Sequence, residues 1–177
     1  DLADAVGINA ISVAAQAIVD MPLGRIDEET TANIGTIHGG TARNIVPDRV
    51  ELVGEARSRD KSKLEAQTAR MVQALEAAAQ RNGAKVDVQV TRAYEAYVFT
   101  EAQEVVRRLM DACRARGVEP RLAPTGGGSD ANIFNAHGIE TIILATGMRD
   151  VHSPKESVAV DDMVAVAKLL VEILRRA

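Results

Sequence analysis

The sequence predicts a mixed α/β fold in two regions, and three observations carry that reading. Residues 7–97 alternate stripes of helical period with short strands of period two, in the order α-β-β-α-β. Residues 98–177 pair helical stripes with one continuous apolar run at 141–145, the pattern of a strand covered on both faces. Between the two regions composition shifts: Tyr94, Tyr97 and Phe99 fall together in a chain that is only 2% aromatic. A domain boundary is expected there, giving residues 1–97 and 98–177.

Residues 1–6 carry little signal. A helix then begins at once, with Ile8, Ile11, Ala15, Ile18 and Val19 expected on its buried face. Met21, Pro22, Leu23 and Gly24 end it. Residues 31–37 read as a strand, His38-Gly39-Gly40 as a turn, and 49–57 as a second strand. In that strand Val50, Leu52, Gly54 and Ala56 face the core, opposite Glu51, Val53, Glu55 and Arg57. Asp60 is the expected N-cap of a long helix to about Asn82, with Leu64, Thr68, Met71, Val72, Leu75, Ala78 and Ala79 as its stripe. Asn82-Gly83 stops it. Val86, Val88 and Val90 alternate with polar residues in a third strand. This order is a split βαβ, or ferredoxin-like, unit without its first strand. Losing that strand leaves two sheet regions unpaired.

In the second region Thr100 is the expected cap of a helix, with Gln103 completing a capping box. Val105, Val106, Leu109, Met110 and Cys113 form its buried face, and Gly117 ends it. Residues 121–123 read as a short strand feeding the run Thr125-Gly126-Gly127-Gly128-Ser129-Asp130. A short helix carrying Ile133 and Phe134 follows. The last helix, from about 161 to 175, is apolar nearly all round, which calls for burial on more than one side.

Composition excludes several classes. A net charge of -4 gives no basic footprint for nucleic acid, and the lack of Trp removes stacking platforms for single strands. The single cysteine, Cys113, excludes an internal disulfide and any CxxC motif; its helical spacing marks it as a packed thiol. No apolar run reaches the roughly 20 residues of a membrane span, and no basic-then-apolar leader is present. A cytoplasmic protein is the expectation.

Three histidines exist, and they share no metal-ligand spacing. His38 reads as a surface residue of a turn, and His137, before Gly138, as a helix C-terminal residue favoured by the dipole. His152 stands apart, in a loop leaving a buried strand, where functional residues concentrate. The glycine run opens a helix without a following Lys-Ser/Thr, so it is no Walker loop, and it is no GxGxxG fingerprint. Its amides suit a carboxylate or an oxyanion; otherwise it is a tight turn with Ser129 as a plain N-cap. Arg57 at a strand end offers bidentate carboxylate binding, or simply solvates the sheet face. No Ser-His-Asp or Cys-His set assembles.

With these residues in view the chain resembles the dinuclear-zinc metallopeptidases of peptidase T, carboxypeptidase G, the aminoacylases and succinyl-diaminopimelate desuccinylase, and peptidase T-like proteins above all. The likeness lies in Gly7-Ile8-Asn9-Ala10-Ile11, in the run from Asn33 through His38-Gly39-Gly40 and Arg43-Asn44 to Asp48, in Gly54-Glu55-Ala56-Arg57-Ser58, in Gly126-Gly127-Gly128-Ser129-Asp130 and in the His152 loop. It covers nearly the whole chain. It implies a ferredoxin-like lid that dimerises, followed by the closing segment of an α/β catalytic domain. By that resemblance His152 is the last zinc ligand, and Gly127, Gly128 and Ser129 line the substrate pocket. Asn44 lies near the reacting carbonyl and Arg57 binds the substrate carboxylate. Two zinc ions and a glutamate base would hydrolyse a small peptide. The family's His-x-Asp, bridging Asp, Glu-Glu pair and further carboxylate ligand have no counterpart in these 177 residues. The resemblance therefore implies the C-terminal part of a peptidase, inactive alone. Two alternatives share it: a non-catalytic homodimerisation module, and an N-acyl amino acid amidohydrolase on the same scaffold.

Overall fold

A computed structural model describes residues 7–176; the signal-poor residues 1–6 lie outside it. The fold is mixed α/β, and the chain divides into two compact units at the Ala96–Tyr97 junction.

The first unit runs α1 (Ala10–Asp20), β1 (Gly24–Arg25), β2 (Thr31–Gly39), β3 (Val50–Arg57) and α2 (Lys61–Arg81). The three strands form an antiparallel sheet in the order β1-β2-β3. A register shift at Ile34/Thr36 leaves Gly35 as the extra residue of a bulge. Gly54 is required by close approach: a Cβ there would lie 2.7 Å from Ile34 Cδ1 and 2.9 Å from the Asn33 carbonyl.

Caps set the helix ends. Asn9 Oδ1 accepts from Ser12 N at 3.1 Å to start α1, and Asp60 Oδ1 accepts from Lys63 N at 3.0 Å to start α2. Gly83, at φ +65°, follows the Asn82 cap of α2. The core joins Val13, Ala17 and Met21 of the α1 side to Ala74 and Ala78 of α2, with Ile34, Met71 and Leu75 against it. Small side chains at Ala17 and Ala78 let the two helices approach closely. Gln67 is 1% exposed, and its Nε2 donates to the Pro22 carbonyl at 2.6 Å.

This core corrects the expected face of α1. Ile8, Ile11, Ala15 and Val19 are exposed, and Val13, Ala14 and Ala17 are buried instead. The helix is rotated so that Val13, Ala14 and Ala17 turn inward, with Val13 and Ala17 in the core shared with α2, and Ile11, Ala15 and Val19 turn outward. His38 lies within β2 opposite Glu51, not in a turn; the turn begins at Gly40, whose φ is +78°. The expected strand around Val86, Val88 and Val90 forms no ladder, because no neighbouring strand among the described residues offers it a partner.

The second unit contains α3 (Glu104–Ala115), α4 (Asp130–Ala136) and α5 (Val160–Arg176). Its core is small: Ala112 and Cys113 of α3 against Leu169 of α5, with Leu109, Leu144 and Ile173 packed around them. Val106 and Met110 are buried as their spacing requires, and burial pushes the Cys113 thiol pKa up, as suits a packed group. Thr100 and Gln103 do bond, Thr100 N donating to Gln103 Oε1 at 2.7 Å, but they close a turn before the helix. The N-cap is Gln103 itself, which corrects the expected Thr100.

Neither 121–123 nor 141–145 joins a sheet, against expectation. A strand needs a neighbour to pair with, and no ladder to either segment exists among the described residues. The apolar surround of α5 is likewise uncovered: Met163, Val164, Leu170, Val171 and Leu174 are exposed, the last at 76%. No helix among the described residues is long and apolar enough to cross a membrane.

Candidate functional site

The second unit holds two of the candidate segments. Gly147 opens the loop that carries His152. Its φ is +79°, and a Cβ would lie 2.7 Å from Asp162 Oδ2, so both conformation and space demand glycine. The loop closes at its base through a bridge of Arg149 and Ser157: Arg149 N donates to the Ser157 carbonyl at 2.8 Å, and Ser157 N to the Arg149 carbonyl at 3.1 Å. Inside, Ser153 N donates to the Asp150 carbonyl and Glu156 N to the Ser153 carbonyl. Asp150 and His152 are both left-handed, at φ +52° and +65°. Such backbones are uncommon outside glycine and recur at functional sites. His152 is exposed, and its imidazole has no hydrogen-bond partner among the described residues.

The glycine run is built differently. Ser129 is the N-cap of α4: its Oγ accepts from Ala131 N at 3.2 Å, and its own N–H donates to Asn132 Oδ1 at 3.0 Å. This is a reciprocal capping box. Gly127 N donates to Thr125 Oγ1 at 3.3 Å. The amides of Gly127 and Ser129 are therefore engaged within the chain. Neither Gly126 nor Gly127 has a positive φ, and a Cβ on Gly126 would meet nothing within 4 Å. The chain's own packing thus gives no reason for glycine at Gly126.

The other two candidates lie in the first unit. Asn44 sits in the exposed segment after Gly40, and the segment is tied down where Ala10 N donates to the Pro47 carbonyl at 2.9 Å. Arg57 ends β3 with its guanidinium on Glu55 at 3.0 Å. That hydrogen bond holds the Arg57 pKa above its ordinary value, so the group is a permanent cation. A substrate carboxylate would have to share or displace Glu55.

His137 caps α4, its Nδ1 2.8 Å from the Ile133 carbonyl, and His38 lies exposed on β2. No hydrogen bond joins the glycine run to the His152 loop among the described residues, and no group of three His, Cys, Asp or Glu is placed to hold a metal. His152 fits the role of one imidazole ligand, but a tetrahedral site needs three or four protein ligands. The sequence places Gly147, Asp150 and Glu156 in the same loop as His152 but assigns none of them a role. Gly147 carried a legible signal, a glycine just after an apolar run; a left-handed Asp and a carboxylate aimed at an amide carry none.

The chain is similar to known proteins along most of its length. The profile of the peptidase dimerisation domain matches residues 3–83, and that of the M42 glutamyl aminopeptidases matches residues 78–169, more than half the chain. Protein YqjE of Bacillus subtilis is 42% identical over 97% of the chain, and relatives called Peptidase T match along 95% of it, as in Geobacillus thermodenitrificans at 28% identity. Among solved structures, aminopeptidase PepT from Bacillus cereus superposes with a TM-score of 0.81 at 45% identity. A tripeptidase from Staphylococcus aureus reaches 0.86 at 38% identity, and both cover 94% of the chain. The chain spans less than half the length of these proteins: 46% of YqjE, 41% of the Geobacillus relative and 45% of each structure.

Proposed function

We propose that the chain, which belongs to the family of the M42 glutamyl aminopeptidase profile and is similar to peptidase T and PepT proteins, serves a zinc-dependent enzyme hydrolysing small peptides. The observation that carries this reading is the likeness along 94% of the chain to an aminopeptidase and a tripeptidase. The chain supplies part of the machinery. His152 provides one imidazole ligand on a loop whose backbone is fixed before any metal arrives. A bound metal would supply a polarising charge and an activated water. Gly127, Gly128 and Ser129 line the substrate pocket, and the glycines leave room for a substrate to approach the main chain closely. Arg57 binds the peptide's terminal carboxylate in exchange for Glu55, and Asn44, which has no side-chain hydrogen bond among the described residues, donates to the reacting carbonyl.

The test compares the 177-residue chain with a full-length protein carrying it, on tripeptides and on N-acyl amino acids, with and without added zinc. The full-length protein is expected to cleave tripeptides, to lose activity to a chelator, and to leave N-acyl amino acids intact. The chain alone is expected to cleave neither. Zinc-dependent cleavage by the isolated chain would contradict this division of labour.

A second role has its own support. The first unit matches a dimerisation domain, and the outer face of α1 leaves Ile11, Ala15 and Val19 exposed, Val19 at 82%. The Asp20–Arg81 ion pair borders that face, so both charge signs are available to a two-fold related copy. A homodimer through this face is expected to sediment as a dimer and to dissociate on Val19→Glu; an unchanged dimer in that variant would place the interface elsewhere.

A further inference from the structure

The His152 loop holds a carboxylate that the roles above do not use. Glu156 Oε2 accepts a hydrogen bond from the His152 backbone N–H at 2.7 Å. The bonds that close the loop act on its other residues: Arg149 with Ser157, Ser153 with Asp150, Glu156 with Ser153. At the apex His152 is left-handed, φ +65°, a conformation that a side chain with a Cβ rarely adopts. The residue is held there by a side chain four positions on, not by the main-chain closure. A carboxylate accepting from an amide makes a charge-assisted bond, stronger than a neutral one. Glu156 is itself exposed, so packing contributes little at this position. It is directed at the backbone of His152, not at the ring.

We propose that Glu156 is a positioning residue: its carboxylate fixes the left-handed backbone of His152 and thereby the direction in which the imidazole is presented. This rests on the reading of His152 as a metal ligand. Partners that orient a ligating histidine typically change metal affinity by about 10–100-fold when removed.

The test uses a full-length protein carrying this chain, as wild type, Glu156→Ala, Glu156→Gln and His152→Ala. Zn²⁺ alone is the probe, titrated against a competing chelator, beside the exchange rate of the His152 amide. Gln keeps a carbonyl oxygen for that amide without the charge. Glu156→Ala is expected to weaken zinc binding about 10–100-fold and to speed His152 amide exchange about tenfold, at an unchanged melting temperature. Glu156→Gln is expected to restore most of both. Wild-type zinc affinity and exchange in Glu156→Ala would overturn the proposal. So would Glu156→Gln if it kept slow exchange but bound zinc as poorly as Glu156→Ala, since charge and not position would then be at work. Glu156→Ser makes the same comparison if the Ala variant does not fold. His152→Ala separates the two readings: unchanged zinc affinity there refutes the ligand role, while the amide exchange of the Glu156 variants still reports on the carboxylate bond.

Discussion

The two units spend similar sequence patterns on different outcomes. The first satisfies its strands: β2 pairs with β3 along its length, and α1 and α2 seal their alanine-rich faces over a shared core. The second has equally apolar segments, yet 141–145 joins no sheet, and α5 buries Leu169 while Met163, Leu170 and Leu174 stay in solvent. Hydrophobic pattern states that a face requires cover. Whether cover exists is decided by what else is present to pack, and the second unit supplies only α3 and a few loop residues.

Native-state hydrogen exchange exposes this contrast most strongly. Amides in α1, α2 and the β2–β3 ladder should exchange at least about a thousandfold more slowly than those at 141–147. Strong protection at 141–145 in the isolated chain would break the comparison. Substitutions sharpen it. Ala78 is 0% exposed between helices, and Ala78→Leu should cost up to about 3 kcal/mol in denaturant unfolding. Leu170→Ser, on the open face of α5, should change stability by less than about 0.5 kcal/mol. Equal effects from the two would mean that the α5 face is covered after all.

Gln67 gives a smaller effect with an informative sign. Its Nε2 serves the Pro22 carbonyl, but its Oε1 is buried without a partner. Gln67→Ala should cost about 1–3 kcal/mol by orphaning that carbonyl. Gln67→Met, which orphans the same carbonyl but keeps the buried volume filled, should cost less.

The smallest effect is on acid stability. Hydrogen bonds, first from the Ser62 hydroxyl and then from Lys63 N, hold the Asp60 carboxyl below its ordinary 3.8, and the Glu29 amide, with others, does the same for Asp27. Because the folded values are depressed, the stabilisation is complete above the unfolded value and is lost as pH falls through the folded one. Helicity of α2 should therefore decline as pH falls below the ordinary carboxylate value of 3.8, and less so in Asp60→Asn, which caps without titrating.

Much of the first unit was legible in the sequence. Asp60, the α2 stripe and Asn82-Gly83 were readable because caps and periodicity act within one helix. The face of α1 was not, because Ile8, Ile11 and Val19 outweigh Ala14 and Ala17 in any reading by hydrophobicity, whereas close helix contact favours small side chains such as Ala17 opposite Ala78. Strands at 86–90, 121–123 and 141–145 were misread for a different reason: a strand is a property of a pair, and one chain segment states only half of it. At the candidate site the histidine was legible, but the left-handed backbone of His152 and the carboxylate that holds it were not, since neither leaves a periodic trace.

The central claim is that His152 is a metal ligand of a peptidase to which this chain contributes. The most direct measurement is kcat/KM for a tripeptide in a full-length protein carrying the chain, wild type against His152→Ala, at matched zinc and with the fold checked by circular dichroism. The expected result is a loss of about a thousandfold or more, with one metal equivalent fewer bound. Cleavage within a few-fold of wild type, with metal content unchanged, would contradict it.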